Sequence, residues 1–175
     1  ECDIFVGAIS SSFESSVEKG VKQAMSEGVI AGYPVVDVKT VIVDGKEHPV
    51  DSKDVAFQKC AREVFRQAFM EAGPIMLEPI LNLEVTVPES FTGDVMGDIS
   101  SRRGRIQGME PVGKNFQKII AKVPQAELYK YSTVLRSMTQ GRGWFTQEFS
   151  HYETMPKEIA DKVIREAKTE TEQEE

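Results

Sequence analysis

From Leu81 to Val87 the chain alternates without a break: Leu81, Leu83, Val85 and Val87 are apolar, while Asn82, Glu84 and Thr86 are polar. Successive side chains of a strand point to opposite faces, so this pattern demands a sheet with one face in a core and the other in water. Pro88 stops the strand. The chain beyond it must therefore lay helices on a single face of that sheet.

The residues downstream meet this requirement. A short helix is predicted from Ser90 to Ser100, weakened by glycines at 93 and 97. Arg105, Ile106 and Met109 fall in a strand, Val112-Gly113-Lys114-Asn115 turns, and Phe116 to Val123 returns before Pro124. Leu128, Tyr131, Leu135 and Met138 recur at helical spacing. Gly141 to Gly143 then lead into a last strand, Trp144 to Phe149, whose Trp144, Phe145 and Phe149 are read as core. The order β-α-β-β-α-β is the ferredoxin-like split pattern.

A smaller α+β unit precedes it. Ile4, Val6 and Ala8 read as a strand. Phe13, Val17, Val21, Ala24 and Met25 define an amphipathic helix with Ser11 or Ser12 as cap and Gly28 at its end. Val36, Val38, Thr40 and Ile42 share one face of a second strand, and DGKEHP at 44–49 is a loop tip. Asp51 or Ser52 can cap a helix whose apolar side is Val55, Phe57, Cys60, Ala61, Val64, Phe65, Ala68 and Phe69. The domains expected are 1–75, 76–155, and a C-terminal helix with an acidic tail at 156–175. The chain has no initiating Met and opens inside what reads as a strand, which points to a piece of something longer.

Charge separates the segments. The formal net charge of the 175 residues is −7, yet residues 88–156 hold 9 basic and 7 acidic side chains, a net of +2. Only this middle stretch can supply a positive face. It contains the run GDVMGDISSRRGRIQGME and, later, LRSMTQGRGWF. Arg102, Arg103 and Arg105 suit either a helix C-terminus, where cations meet the dipole, or phosphate. Arg142 between two glycines is harder to explain by packing, because glycine lets backbone approach a partner and the guanidinium can fork onto phosphate. His48, on the tip beside Lys46, is either a solvated turn residue or a contact to RNA backbone or base. His151 is read as a packing or capping residue.

No catalytic constellation emerges. There is no GxxxxGK[ST] loop, no GxSxG elbow, and neither histidine has a Cys or second His at metal-ligand spacing. Cys2 and Cys60 lack a disulfide framework and fit a reducing, cytoplasmic compartment, with Cys60 a small core residue. No apolar stretch approaches the roughly 20 residues of a membrane span.

Read in order, GYPVVDVK at 32–39, DGKEHPVDS within 43–52, LEPI at 77–80, GDVMGD and RRGRIQGME within 93–110, LRSMTQGRGWF at 135–145 and HYETMPK at 151–157 resemble the C-terminal part of the bacterial elongation factor G family. The resemblance covers almost the whole chain. It implies a split α+β fourth domain with a left-handed βαβ crossover, here incomplete at its N-terminus, followed by a ferredoxin-like fifth domain. It further implies a monomeric arm, itself without catalytic residue or metal, of a GTPase that moves tRNA and mRNA on the ribosome. GTP and magnesium would belong to a nucleotide domain upstream. Gly45, Lys46 and His48 would form the tip that reaches tRNA and mRNA in the decoding region. Arg102, Arg103 and Arg142 would face ribosomal RNA. Departures from the family pattern, ISSSFES before the first helix and Pro111-Val112-Gly113 in place of an alanine–arginine–glycine turn, keep a paralogue acting in ribosome recycling or protection open. The residues alone also leave open a protein-binding α+β module.

Overall fold

The computed structural model describes residues 9–48 and 52–174. Two compact units emerge: Glu1–Ile75 with Pro156–Glu175, and Met76–Met155. The C-terminal helix α5 (Lys157–Glu174) groups with the first unit.

In the first unit, α1 (Glu14–Glu27) packs against α2 (Asp54–Glu71). The approach is set by Gly20, where a Cβ would collide with the Gln58 carbonyl of α2. Around that crossing, Phe13 stacks on Phe57 with ring centroids 4.3 Å apart, and the buried Ser16 hydroxyl donates to Asp54 at 2.7 Å. The buried side of α2 is narrower than its composition suggests. Phe57, Ala61, Phe65 and Phe69 form one i, i+4 row toward α1, whereas Val55, Cys60 and Val64 are exposed. Backbone contact at Gly20 brings the helices so close that a single row fills the interface. Cys60 is accordingly a surface residue and not the core residue expected.

Both expected helix caps are replaced. A 3-10 turn, Ser11–Phe13, winds into α1, so Phe13 and not a serine stands at its N-cap. Lys53 holds that place on α2, because the Ser52 hydroxyl accepts the His48 N–H instead; Asp51 lies outside the described residues. Residues 34–42 join no ladder among the described residues, and Asp37 takes a left-handed φ of 56°. A strand exists only through its partner, and the candidate partner at Ile4, Val6 and Ala8 lies outside the described residues, and with it the hand of a crossover through α1.

The second unit is the four-stranded antiparallel sheet β2-β3-β1-β4, formed by β1 (Leu77–Pro88), β2 (Arg105–Val112), β3 (Phe116–Pro124) and β4 (Trp144–Thr154). The helices are α3 (Thr92–Ser101) and α4 (Tyr131–Met138). This is the ferredoxin-like arrangement. Leu81, Leu83, Val85 and Val87 enter the core with Val95 and Ile99 of α3, Ile119, Ala121 and Val123 of β3, and Tyr131 and Leu135 of α4. Leu128 joins them from a 3-10 turn, Gln125–Leu128, ahead of α4.

Strand parity corrects the reading of the last strand. Phe145 pairs with Val85 and packs on the core, but Trp144 pairs with Thr86 and is 54% exposed on the outer face. Phe149 lies past the core cluster on edge strand β4, 57% exposed, its ring beside Tyr152. The register slips between Ile80 and Leu81, leaving Ser150 as an extra residue of β4.

Candidate functional site

The tip of the first unit is built from local bonds. Asp44 accepts the Gly45 N–H at 2.7 Å, and Gly45 lies against the Ile9 side chain, which would have to shift to admit a Cβ. The Glu47 carboxylate takes the Ser10 N–H at 2.8 Å. His48 and Ser52 close the base of the loop: the Ser52 hydroxyl accepts the His48 N–H at 2.7 Å, and the Ser52 N–H donates to the His48 carbonyl at 3.3 Å. The acid of the tip is thereby drawn onto backbone, while Lys46 and His48 stay exposed. A positive and a hydrogen-bonding side chain are presented from a backbone fixed on both sides.

The arginine run does something else. Arg102 donates to Asp98 at 2.8 Å and to the Glu127 carbonyl at 2.6 Å, with its guanidinium 5.1 Å from the centre of the buried Tyr131 ring. Arg103 forks onto both oxygens of Glu78 at 2.8 Å each and reaches Glu127 at 3.0 Å. The Glu78 side chain is only 6% exposed, so its carboxylate is withdrawn from water, while the Arg103 guanidinium keeps partial access. Hydrogen bonding to Glu78 holds the Arg103 pKa above its ordinary value. Burial raises the Tyr131 hydroxyl as well. Arg105 pairs with Glu153, which also accepts from His151 at 2.8 Å, and Ser150 lies 2.8 Å from the other ring nitrogen of that histidine. His151 therefore belongs to a polar chain along β4. These bonds, led by the one from His151, hold the Glu153 carboxyl below its usual range.

The second glycine–arginine turn is different again. Gln140 and Gly141 both adopt positive φ, 53° and 77°. Gly143 is pressed so closely on Thr139 and Val87 that a Cβ would meet their atoms at 2.9 and 3.0 Å. The buried Thr139 hydroxyl pins the turn from beneath, donating to the Leu135 carbonyl at 2.7 Å and accepting the Gly143 N–H at 2.9 Å. Arg142 is left on the surface, 5.0 Å over the Phe91 ring and 3.4 Å from Gln140, and forms no ion pair among the described residues. Arg136, in the last turn of α4, is likewise exposed without an ion pair among them. Arg136 lies inside the run LRSMTQGRGWF but lacks the flanking glycines that single out Arg142; its place beside the turn comes from the helix, where its carbonyl accepts the Gly141 N–H.

Of the predicted residues, the structure thus presents Lys46, His48 and Arg142 to solvent and engages Arg102 and Arg103 internally. Among the described residues no group of three or more His, Cys, Asp or Glu side chains could hold a metal ion. No helix among them is long and apolar enough to cross a membrane.

Comparison with known proteins divides the chain near residue 74 and carries the second match into α5. Residues 1–73 match the family model "Elongation factor G, domain IV", and residues 75–163 match "Elongation factor G C-terminus". The chain is 52% identical over 164 residues to elongation factor G of Aquifex pyrophilus, covering 94% of this chain and 23% of that protein. It is 49% identical over 169 residues to an elongation factor G-like protein of Thermotoga maritima, covering 97% of this chain and 25% of the relative. A crystal structure from Thermus thermophilus superposes with a TM-score of 0.85 at 41% identity, covering 97% of this chain and 26% of that one. The chain spans about a quarter of the length of these relatives.

Proposed function

The chain belongs to the elongation factor G family, and we propose that it is the non-catalytic, RNA-contacting arm of a GTP-dependent ribosomal translocase. The observation that carries this reading is the tip, where Glu47 is bound to the Ser10 backbone while Lys46 and His48 face outward. A loop fixed at Gly45 and at the His48–Ser52 pair can support a tRNA–mRNA helix by shape and by contacts to phosphate and base, with little ordering cost on binding. The second unit meets ribosomal RNA through the Arg142 turn, with Arg136 beside it. Arg102 and Arg103 serve that contact by holding the body behind it. Nucleotide hydrolysis, with its magnesium, belongs to another part of the parent polypeptide, which works as a monomer in the cytoplasm.

In the full-length protein, His48→Ala should slow single-turnover movement of tRNA while ribosome-stimulated GTP hydrolysis stays near wild type. Unchanged translocation in that variant would remove the tip from the mechanism.

A further inference from the structure

The outer face of the sheet carries an aromatic row at the end nearest the Arg142 turn. Trp144 of β4 is 54% exposed, and its ring centre lies 5.5 Å from that of Phe116 on β3, the two planes tilted by 41°. Thr86 of β1 is buried at the crossing, and Val112 of β2, paired with Phe116, extends the row at 38% exposure. Neighbouring strands thus build a largely apolar surface, its two rings tilted against each other, with Trp144 open to solvent.

Charge decides what suits it. The cations at this end are Arg142 and Lys114, the latter in the β2–β3 turn, and neither has an ion pair among the described residues. Glu89, whose N–H reaches the Asn115 carbonyl, is the carboxylate nearby. In the same cross-strand row as Trp144 and Thr86, Lys118 of β3 lies between two carboxylates, 3.2 Å from Glu110 beside it and 3.6 Å from Glu84 one step along the face. A polyanion with flat apolar rings therefore meets two cations without ion pairs where the aromatics are, with Lys118 offsetting one of the two carboxylates beside it.

We propose that Trp144 and Phe116 form a stacking platform for an unpaired base of RNA, with Arg142 and Lys114 on the flanking phosphates. The proposal rests on the reading that the Arg142 turn meets ribosomal RNA and names the part of the RNA it takes. Any base can stack, since each has a π face, so the platform selects an unstacked nucleotide rather than a sequence.

Trp144 is the chain's single tryptophan, so its fluorescence reports the platform directly. The full chain is titrated with oligoadenylate and with an abasic ribose–phosphate polymer of equal length. Saturable quenching by the first alone is expected, lost in Phe116→Ala. Filter binding should show oligoadenylate affinity reduced about tenfold by Trp144→Ala and retained by Trp144→Phe, which also guards against misfolding of the alanine variant. Equal binding by Trp144→Ala, or equal quenching by the abasic polymer, overturns the proposal. Co-sedimentation with ribosomes separates the two levels. Wild-type association unchanged in Trp144→Ala sinks the platform alone, whereas no wild-type association sinks the underlying reading. Loss of ribosome association in Trp144→Ala with oligoadenylate affinity intact would identify a protein partner and overturn the RNA assignment.

Discussion

Removing the Arg103 guanidinium should unfold the second unit far more readily than its place on a charged turn suggests. In Arg103→Met the apolar stem is kept, while Glu78, whose side chain is 6% exposed, loses both of its 2.8 Å bonds. Breaking a buried pair in this way costs about 3–5 kcal/mol, because a charge is stranded away from water. Arg103 itself is 28% exposed, so water can enter the site, and the lower end of that range applies: about 3 kcal/mol. For a unit of about 80 residues this corresponds to a fall in Tm of about 12–24 °C. Urea unfolding followed by Trp144 fluorescence isolates this unit, since Trp144 is the chain's sole tryptophan and lies within it. Glu78→Gln combined with Arg103→Met should recover at least half of the loss, because the penalty belongs mainly to the stranded carboxylate. A loss below about 0.5 kcal/mol in the single variant, as at an ordinary surface site, would show that the pair is not structural and refute the argument.

Other outcomes rest on the same geometry. Gly20→Ala forces α1 away from the Gln58 carbonyl and should destabilise the first unit by about 1–3 kcal/mol, read as an earlier far-UV circular dichroism transition; an unchanged melt would mean the helices do not pack at backbone contact. Glu153 has a folded-state pKa held below its unfolded value, 4.5. The stability it contributes is therefore present above that value and is lost as pH falls through the lower folded pKa. Glu153→Gln should accordingly flatten the acid side of the stability curve below about pH 4.5 and leave its neutral region with little slope, measured by Trp144 fluorescence against pH; a parallel acid limb in both proteins would dismiss the ion pair as a contributor.

Much of the second unit was legible because its signals are local. Period-2 alternation places Leu81 to Val87, prolines at 88 and 124 lie at strand ends, and glycine-containing turns separate the rest. What failed were inferences about which side of an element is covered. Trp144 and Phe145 are neighbours with the same composition signal, yet pairing with Thr86 and Val85 sends them to opposite faces. Cys60 and Val64 complete an apolar pattern on α2, but the close approach at Gly20 leaves them outside. At the tip, loop and exposure could be read from DGKEHP, whereas the bond from Ser10 to Glu47 could not, since it joins residues 37 apart.

The sequence by itself determined the order of elements, the ferredoxin-like sheet and the family, because periodicity, chain-breaking residues and ordered motifs are properties of short stretches. Only the tertiary structure decided which arginines face outward. Arg103 finds Glu78 and Glu127 at separations of 25 and 24 residues, so its engagement depends on β1 and the turn after β3 meeting the end of α3. Among the described residues Arg142 has no such ion pair and rests on Phe91 instead. Charge is written in the chain; the desolvated partner that occupies it is supplied by the fold.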